Sequence, residues 1–303
     1  WHHFALSWNE SAPDAILYID GKPDGSGSGT AFASMGDLSN TNAFYIGAET
    51  DAGNPFDGKL DDIRIYGYAL SADQVKKIYN TTSPTQPVDT SLVGHWTFDG
   101  PDIQGTTAID RSSFGNNGTI TGTTKTIGKL GQALSFNGTS DVTVSDPASG
   151  VLDFGAGADF SVSAWVKRSD ANYGGIFYKQ LSCSAAGYGV YFANSASLVY
   201  LEVNGATNSC EFGSTAVNWN ANIWYHFVMA VSGGDIFLYQ NGILVDSKTD
   251  CSTFGSLANS YDFVIGQMNC GGPNPFSGSM DDIRVYNRAL SAGEVTNMYN
   301  VGK

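Results

Sequence analysis

Apolar and polar residues alternate in short bursts along this chain, and the clearest burst occurs twice. In Asp281–Tyr286 the apolar Ile283 and Val285 alternate with Asp282, Arg284 and Tyr286, the period-two pattern of a strand with one buried face. The surrounding stretch GSMDDIRVYNRALSAGEVTNMYN at Gly278–Asn300 has a near copy, GKLDDIRIYGYALSADQVKKIYN, at Gly58–Asn80. Each copy reads as a strand, a turn and one short helix. Ser291 with Glu294, and Ser71 with Gln74, fit the capping box in which two side chains satisfy each other's orphan backbone donors. Val295, Met298 and Tyr299 recur at helical spacing, so one face of the helix is expected to latch onto a sheet.

The duplication extends further upstream. WHHFALSW at Trp1–Trp8 aligns with WYHFVMAV at Trp224–Val231, ILYIDG at Ile16–Gly21 with FLYQNG at Phe237–Gly242, and FYIG at Phe44–Gly47 with FVIG at Phe263–Gly266. Asp20-Gly21 and Asn241-Gly242 mark two-residue hairpins, whose turns require positive φ. Residues 1–80 therefore read as the C-terminal half of a module, 81–90 (with Pro84 and Pro87) as a linker, and 91–303 as a complete module. Because Trp1 matches Trp224, the natural start is expected upstream.

Within 91–303, short apolar runs such as Val93–Phe98, Phe160–Lys167, Leu198–Val203 and Ile236–Gln240 recur at the 8–12-residue spacing of an all-β fold. The expectation is an antiparallel β-sandwich or jelly roll in tandem modules, each ending in a short helix. Phe160, Val162, Ala164 and Val166 form one face of their strand; the other carries Ser161, Ser163, Trp165 and Lys167, a polar face whose tryptophan could line a groove.

Composition agrees: 42% apolar and 13% aromatic residues with 37 Gly and only 9 Pro describe a globular chain. A net charge of −14 argues against nucleic acid or an anionic bilayer as partner, and no apolar run is long enough for membrane insertion. No signal peptide opens the chain. The 4 cysteines, Cys183, Cys210, Cys251 and Cys270, contain no CxxC pair, which argues against zinc and for disulfides in an extracellular protein. Three connectivities are possible. Cys183–Cys210 with Cys251–Cys270 is favoured, because each would join loops flanking neighbouring strands.

WTFDG at Trp96–Gly100, GQALSFNGTSDVTV at Gly131–Val144, FSVSAWVK at Phe160–Lys167, WYHFVMAVSGGDIFLYQNG at Trp224–Gly242 and MDDIRVYNRALS at Met280–Ser291 together resemble the laminin-G-like, concanavalin A-like jelly-roll family. The resemblance spans nearly all of 92–303 in order, and residues 1–80 resemble the family's second half. It implies an antiparallel β-sandwich, and it admits glycan-binding modules, adhesion modules and enzyme appendages.

Catalysis finds little support. Glycoside hydrolases that share such a sandwich place carboxylates on one strand as ExDxxE, and that pattern is absent from this sequence. Asp61-Asp62 and Asp281-Asp282 are adjacent, so simple alternation would send the two side chains of each pair to opposite faces. His3 and His226 occupy matched positions and read as structural. No nucleophile elbow or phosphate-cradling glycine loop occurs.

Related sandwiches often hold a structural calcium between the first and last strands. The resemblance therefore marks Asp99 and Asp281 as candidate ligands, with backbone near Asn137 in support and Asp61 as the counterpart of Asp281. A sugar site needs aromatic faces and planar amides, and Tyr173, Tyr178, Tyr188, Asn194, Gln267, Asn269 and Asn274 could edge such a groove. The expected role is a non-catalytic extracellular module that recognises a glycan or a surface protein within a larger tandem-repeat protein. A structural repeat of a cell-surface or viral fibre, completed by neighbouring modules or subunits, is the rival reading, and an appendage of a secreted glycoside hydrolase the third. Half a jelly roll leaves sheet faces open, so residues 1–80 are not expected to stand alone.

Overall fold

The computed structural model describes residues 1–9, 14–28, 43–48, 54–82, 89–170, 172–182, 184–193, 198–205, 209–249, 251, 254–268 and 274–302. The chain divides into two compact units, Trp1–Val88 and Asp89–Lys303.

The second unit is an antiparallel sandwich of two sheets. Among the described residues one sheet has nine strands, running from Ser209–Ser214 at one edge through Val199–Asn204, Gly187–Phe192, Gly174–Lys179, Phe263–Ile265, Asp141–Val144, Gly118–Thr121 and Thr107–Ala108 to Ile103–Gln104. The other runs from Ile243–Lys248 through Asp235–Gln240, Tyr225–Ser232, Phe160–Arg168, Ser277–Tyr286 and Gln132–Asn137 to Thr124–Ile127, and Leu92–Trp96 also pairs with Ser277–Tyr286. Alternate residues of both sheets meet in one core that includes Phe160, Val162, Phe177, Tyr188, Phe227, Met280, Ile283 and Val285. Burying a side chain of this size contributes about 1.5–3 kcal/mol, so the interleaved faces hold the sandwich closed.

The expected latch forms. The helix Ala292–Val301 starts at Ser291, whose hydroxyl accepts from the Glu294 amide, while the Glu294 carboxylate accepts from the Ser291 amide. The helix covers the outer face of the second sheet, where Val295 joins Val228, Ala230, Tyr239, Tyr286 and Leu290, with Met298 packed alongside. Ser291→Ala should cost about 1 kcal/mol, read as a lower urea midpoint at unchanged slope.

In the first unit, Phe4–Asn9, Asp14–Ile19 and Lys22–Ser28 form a three-stranded antiparallel sheet. The helix Ala72–Thr82 repeats the capping arrangement, with Ser71 and Gln74 bonded reciprocally. Both hairpin predictions hold: Asp20 and Asn241 have φ of 52° and 53°, and Gly21 and Gly242 of 72° and 80°.

Simple alternation breaks at the double aspartates. Between Ser163 and Trp165 the register with Ser277–Tyr286 shifts, and Asp282 takes a left-handed φ of 50°. This bulge places two residues against one. Met280, Ile283 and Val285 face the core, which leaves both Asp281 and Asp282 off that face.

Candidate functional site

Two regions of the second unit carry chemistry. The first surrounds the double aspartate. Asp282 is held well below the usual carboxylate range by Arg284 and His95, which outweigh its burial. Arg284 approaches both of its oxygens at 3.0 Å, and His95 Nε2 lies 2.8 Å from Oδ1. Asp281 is fully buried. Its Oδ2 accepts the amides of Lys129 (2.7 Å) and Leu130 (2.8 Å), while Oδ1 has no partner. Burial, with the charges of Asp282 and Asp99 adding to it, pushes its carboxyl up to about 8. Asp99 binds the same turn from the other side, its Oδ1 accepting the Gln132 amide at 2.8 Å.

An orphaned buried carboxylate oxygen and a second carboxylate on one turn fit a hard cation, which relieves both desolvation and mutual repulsion. Among the described residues no group of three or more His, Cys, Asp or Glu converges, so backbone carbonyls and solvent would have to complete a calcium shell. Asn137 is not part of this cluster. It pairs with Ser277, four residues along the strand from Asp281, and its Oδ1 accepts from the amide and hydroxyl of Thr139. Asp61 bonds the amide of Asp62, and Asp62 is bridged to Arg64, so the first unit repeats part of the motif.

The second region is an open cleft of about 350 Å³ lined by Gly138, Asn172, Tyr173, Asn274, Pro275 and Ser277. Tyr173 is exposed there. The buried Arg168, stacked 4.0 Å over Phe192, donates to the Asn172 carbonyl at 2.9 Å and so anchors the residue preceding Tyr173. Asn274–Pro275 pairs with Gln267–Met268, which places Gln267 one strand from the cleft. Tyr191 stacks on Tyr200 at 5.0 Å on the outer side of the nine-stranded sheet.

Several expected groove residues lie elsewhere. Tyr188 is a core residue, bonded to the Leu152 carbonyl and packed among Phe154, Phe160 and Phe263. Tyr178 is buried, donating to Glu202, with Gln180 donating to both. Trp165 lines no groove. It lies on the latch side, near Tyr299 and so close to Gly302 that a Cβ there would fall 2.5 Å from its ring. Asn194 and Asn269 fall outside the described residues.

The favoured cysteine pairing is overturned by a bond between Cys210 and Cys251, whose Cα atoms are 5.5 Å apart. Pairing by proximity along the chain overlooked that a jelly roll brings the edge strands of its two sheets together. Here Ser209–Ser214 of one sheet meets the end of Ile243–Lys248 of the other, where Ser214 also donates to Asp246 at 2.6 Å. Cys183 and Cys270 lie outside the described residues.

A family model described as the concanavalin A-like lectin/glucanases superfamily matches residues 1–76 and 136–296. The chain belongs to this superfamily. Its fold is similar to that of the binding domain of Paraclostridial Mosquitocidal Protein 1 (TM-score 0.57, 17% identity, 71% of this chain and 53% of that one). It is also similar to domain 4 of AbnA, a GH43 extracellular arabinanase from Geobacillus stearothermophilus, solved with arabinotriose (TM-score 0.53, 23% identity, 69% of this chain and 98% of that one). Among curated relatives, a sushi, von Willebrand factor type A, EGF and pentraxin domain-containing protein of Rattus norvegicus is 28% identical over 121 residues. That match covers 38% of this chain and 3% of the relative's length. Sequence reading singled out Tyr173 and Asn274 but missed Gly138, Asn172, Ser277 and the anchoring Arg168, which no local motif marks.

Proposed function

We propose that the second unit is a non-catalytic, extracellular recognition module that binds a neutral oligosaccharide at the Tyr173 cleft. The observation that carries this reading is the lining itself: one exposed tyrosine ring for stacking, with the amides of Asn172 and Asn274 and the hydroxyl of Ser277 around it. The cleft contains no carboxylate or histidine to move a proton, and the buried Glu202 is already engaged by Tyr178 and Gln180. A chain of net charge −14 favours neutral sugars over acidic ones. The arabinotriose complex of the similar AbnA domain supports a sugar ligand, and the Cys210–Cys251 bond supports an oxidising compartment.

A glycan array probed with the full chain tests the reading. Neutral oligosaccharides should bind, and Tyr173→Ala should weaken binding at least about tenfold, about 1.4 kcal/mol, without lowering the melting temperature. An array blank at high protein concentration would refute sugar recognition.

In the same reading, Asp99 and Asp281 would hold a structural calcium ion, which would supply charge neutralisation beside these two carboxylates. Calcium at 100 times its dissociation constant should stabilise the chain by about 2.7 kcal/mol, seen as a rise in melting temperature. The rise should vanish in Asp281→Ala; no response to calcium or chelator in the parent chain would exclude the ion.

A further inference from the structure

Four stretches of the chain match the N-linked glycosylation acceptor Asn-x-Ser/Thr: Asn9-Glu10-Ser11, Asn80-Thr81-Thr82, Asn117-Gly118-Thr119 and Asn137-Gly138-Thr139. Their surroundings separate them. Asn9-Glu10-Ser11 runs outside the described residues, and Asn80 lies within the helix Ala72–Thr82. Asn117 uses its Oδ1 to accept the Asp110 amide at 2.9 Å, and Thr119 is paired in the nine-stranded sheet with Thr107 and Thr143.

Asn137 differs from all three. It ends the strand Gln132–Asn137 with its side chain exposed, and its Oδ1 accepts from both the amide (3.0 Å) and the hydroxyl (2.9 Å) of Thr139. Gly138 between them has a left-handed φ of 85°, a conformation that favours glycine at the middle of the motif. The turn thus brings together the two side chains that the motif requires. It fixes the carboxamide by its oxygen and leaves Nδ2 without a bond among the described residues.

The location adds a consequence. Gly138 and Ser277 both line the Tyr173 cleft; the first follows Asn137 in the chain and the second is its cross-strand partner. Partners across an antiparallel pair lie about 5 Å apart, so a group attached to Asn137 stands at the lip of the cleft. Tyr173 is 46% exposed there.

We propose that Asn137 carries an N-linked glycan that covers the Tyr173 cleft, so that the glycosylated chain is the masked form of the module. This rests on the reading of the chain as an extracellular module with its ligand site at Tyr173. Nδ2 attacks the anomeric carbon of an oligosaccharide carried on a lipid diphosphate. A C–N bond forms, the bond from that carbon to the diphosphate oxygen breaks with its electron pair leaving on oxygen, and Nδ2 gives up one proton. The bulky, hydrated glycan then competes with free sugar for the tyrosine ring.

The test compares the full chain secreted from a eukaryotic host with the same chain made in a bacterial periplasm that lacks N-glycosylation. Peptide mass spectrometry should find Asn137 occupied in the first and bare in the second. Hydroxyl-radical oxidation of Tyr173 should be severalfold lower in the glycosylated chain, while Tyr68, 60% exposed in the other unit, is oxidised equally in both. Asn137→Gln from the eukaryotic host should restore the oxidation, and Thr139→Ser, which keeps the acceptor hydroxyl, should not. Endoglycosidase trimming of the parent chain to its first sugar should restore it with no substitution at all. An unoccupied Asn137, or an occupied one that leaves Tyr173 as reactive as in the bacterial product, overturns the proposal. Oligosaccharide binding is read separately: if neither form binds while Asn137 is occupied and Tyr173 is shielded, the ligand reading fails and the masking glycan stands.

Discussion

Replacing Lys179 by alanine should destabilise the second unit by about 3–5 kcal/mol, among the largest effects expected of any single substitution in this chain. Lys179 is fully buried, and its Nζ lies 2.9 Å from Asp146 Oδ1 and 2.8 Å from Asp153 Oδ1. It also donates to the carbonyl and side-chain oxygens of Asn259, each at 3.3 Å. Asn259 in turn donates to the carbonyls of Lys179, Ala186 and Leu257, so one ammonium organises three loops at the end of the nine-stranded sheet. Removing it leaves two carboxylates facing each other, partly withdrawn from water and without a counter-charge. Chemical denaturation should show the loss as a lower midpoint. Neutralising the acids as well, in Lys179→Met with Asp146→Asn and Asp153→Asn, should recover most of it, because the penalty lies in the unpaired charges rather than in the missing bonds. A triple variant as unstable as the single one would assign the effect to lost packing.

Cys251→Ala should cost about 4 kcal/mol. The Cys210–Cys251 bond spans a sequence separation of 41, and the chain entropy released when a loop of that length opens gives this figure at 25 °C. Both cysteines are buried where the edge strands Ser209–Ser214 and Ile243–Lys248 of the two sheets meet, so the bond resists separation of the sheets at that edge. The loss should appear in thermal melts of Cys251→Ala and be matched by Cys210→Ala, with no further loss in the double variant. Unequal single effects would point to packing of the individual side chains.

Strand positions and core faces were legible because they follow from period-two alternation, and Phe160–Lys167 and Ile283–Val285 point as that period requires. The latch was legible through Ser291, Glu294 and Val295, since caps and helical spacing are local signals. What escaped depends on registers between distant strands. The bulge at Asp282 cancels alternation only because Phe160–Arg168 shifts against Ser277–Tyr286. Tyr188 is indistinguishable from Tyr173 as a residue type, and only the sandwich decides that one fills the core while the other edges the cleft. Lys179 carries no local mark either, because its partners lie 26, 33 and 80 residues away.

Ligand recognition at the Tyr173 cleft is tested most directly by the backbone amide chemical shifts of the isotope-labelled chain during titration with a neutral oligosaccharide taken from the array. Saturable shifts should cluster at Gly138, Asn172, Tyr173, Asn274 and Ser277 and disappear in Tyr173→Ala. Saturable shifts confined to another surface, with this cluster silent, would contradict the account.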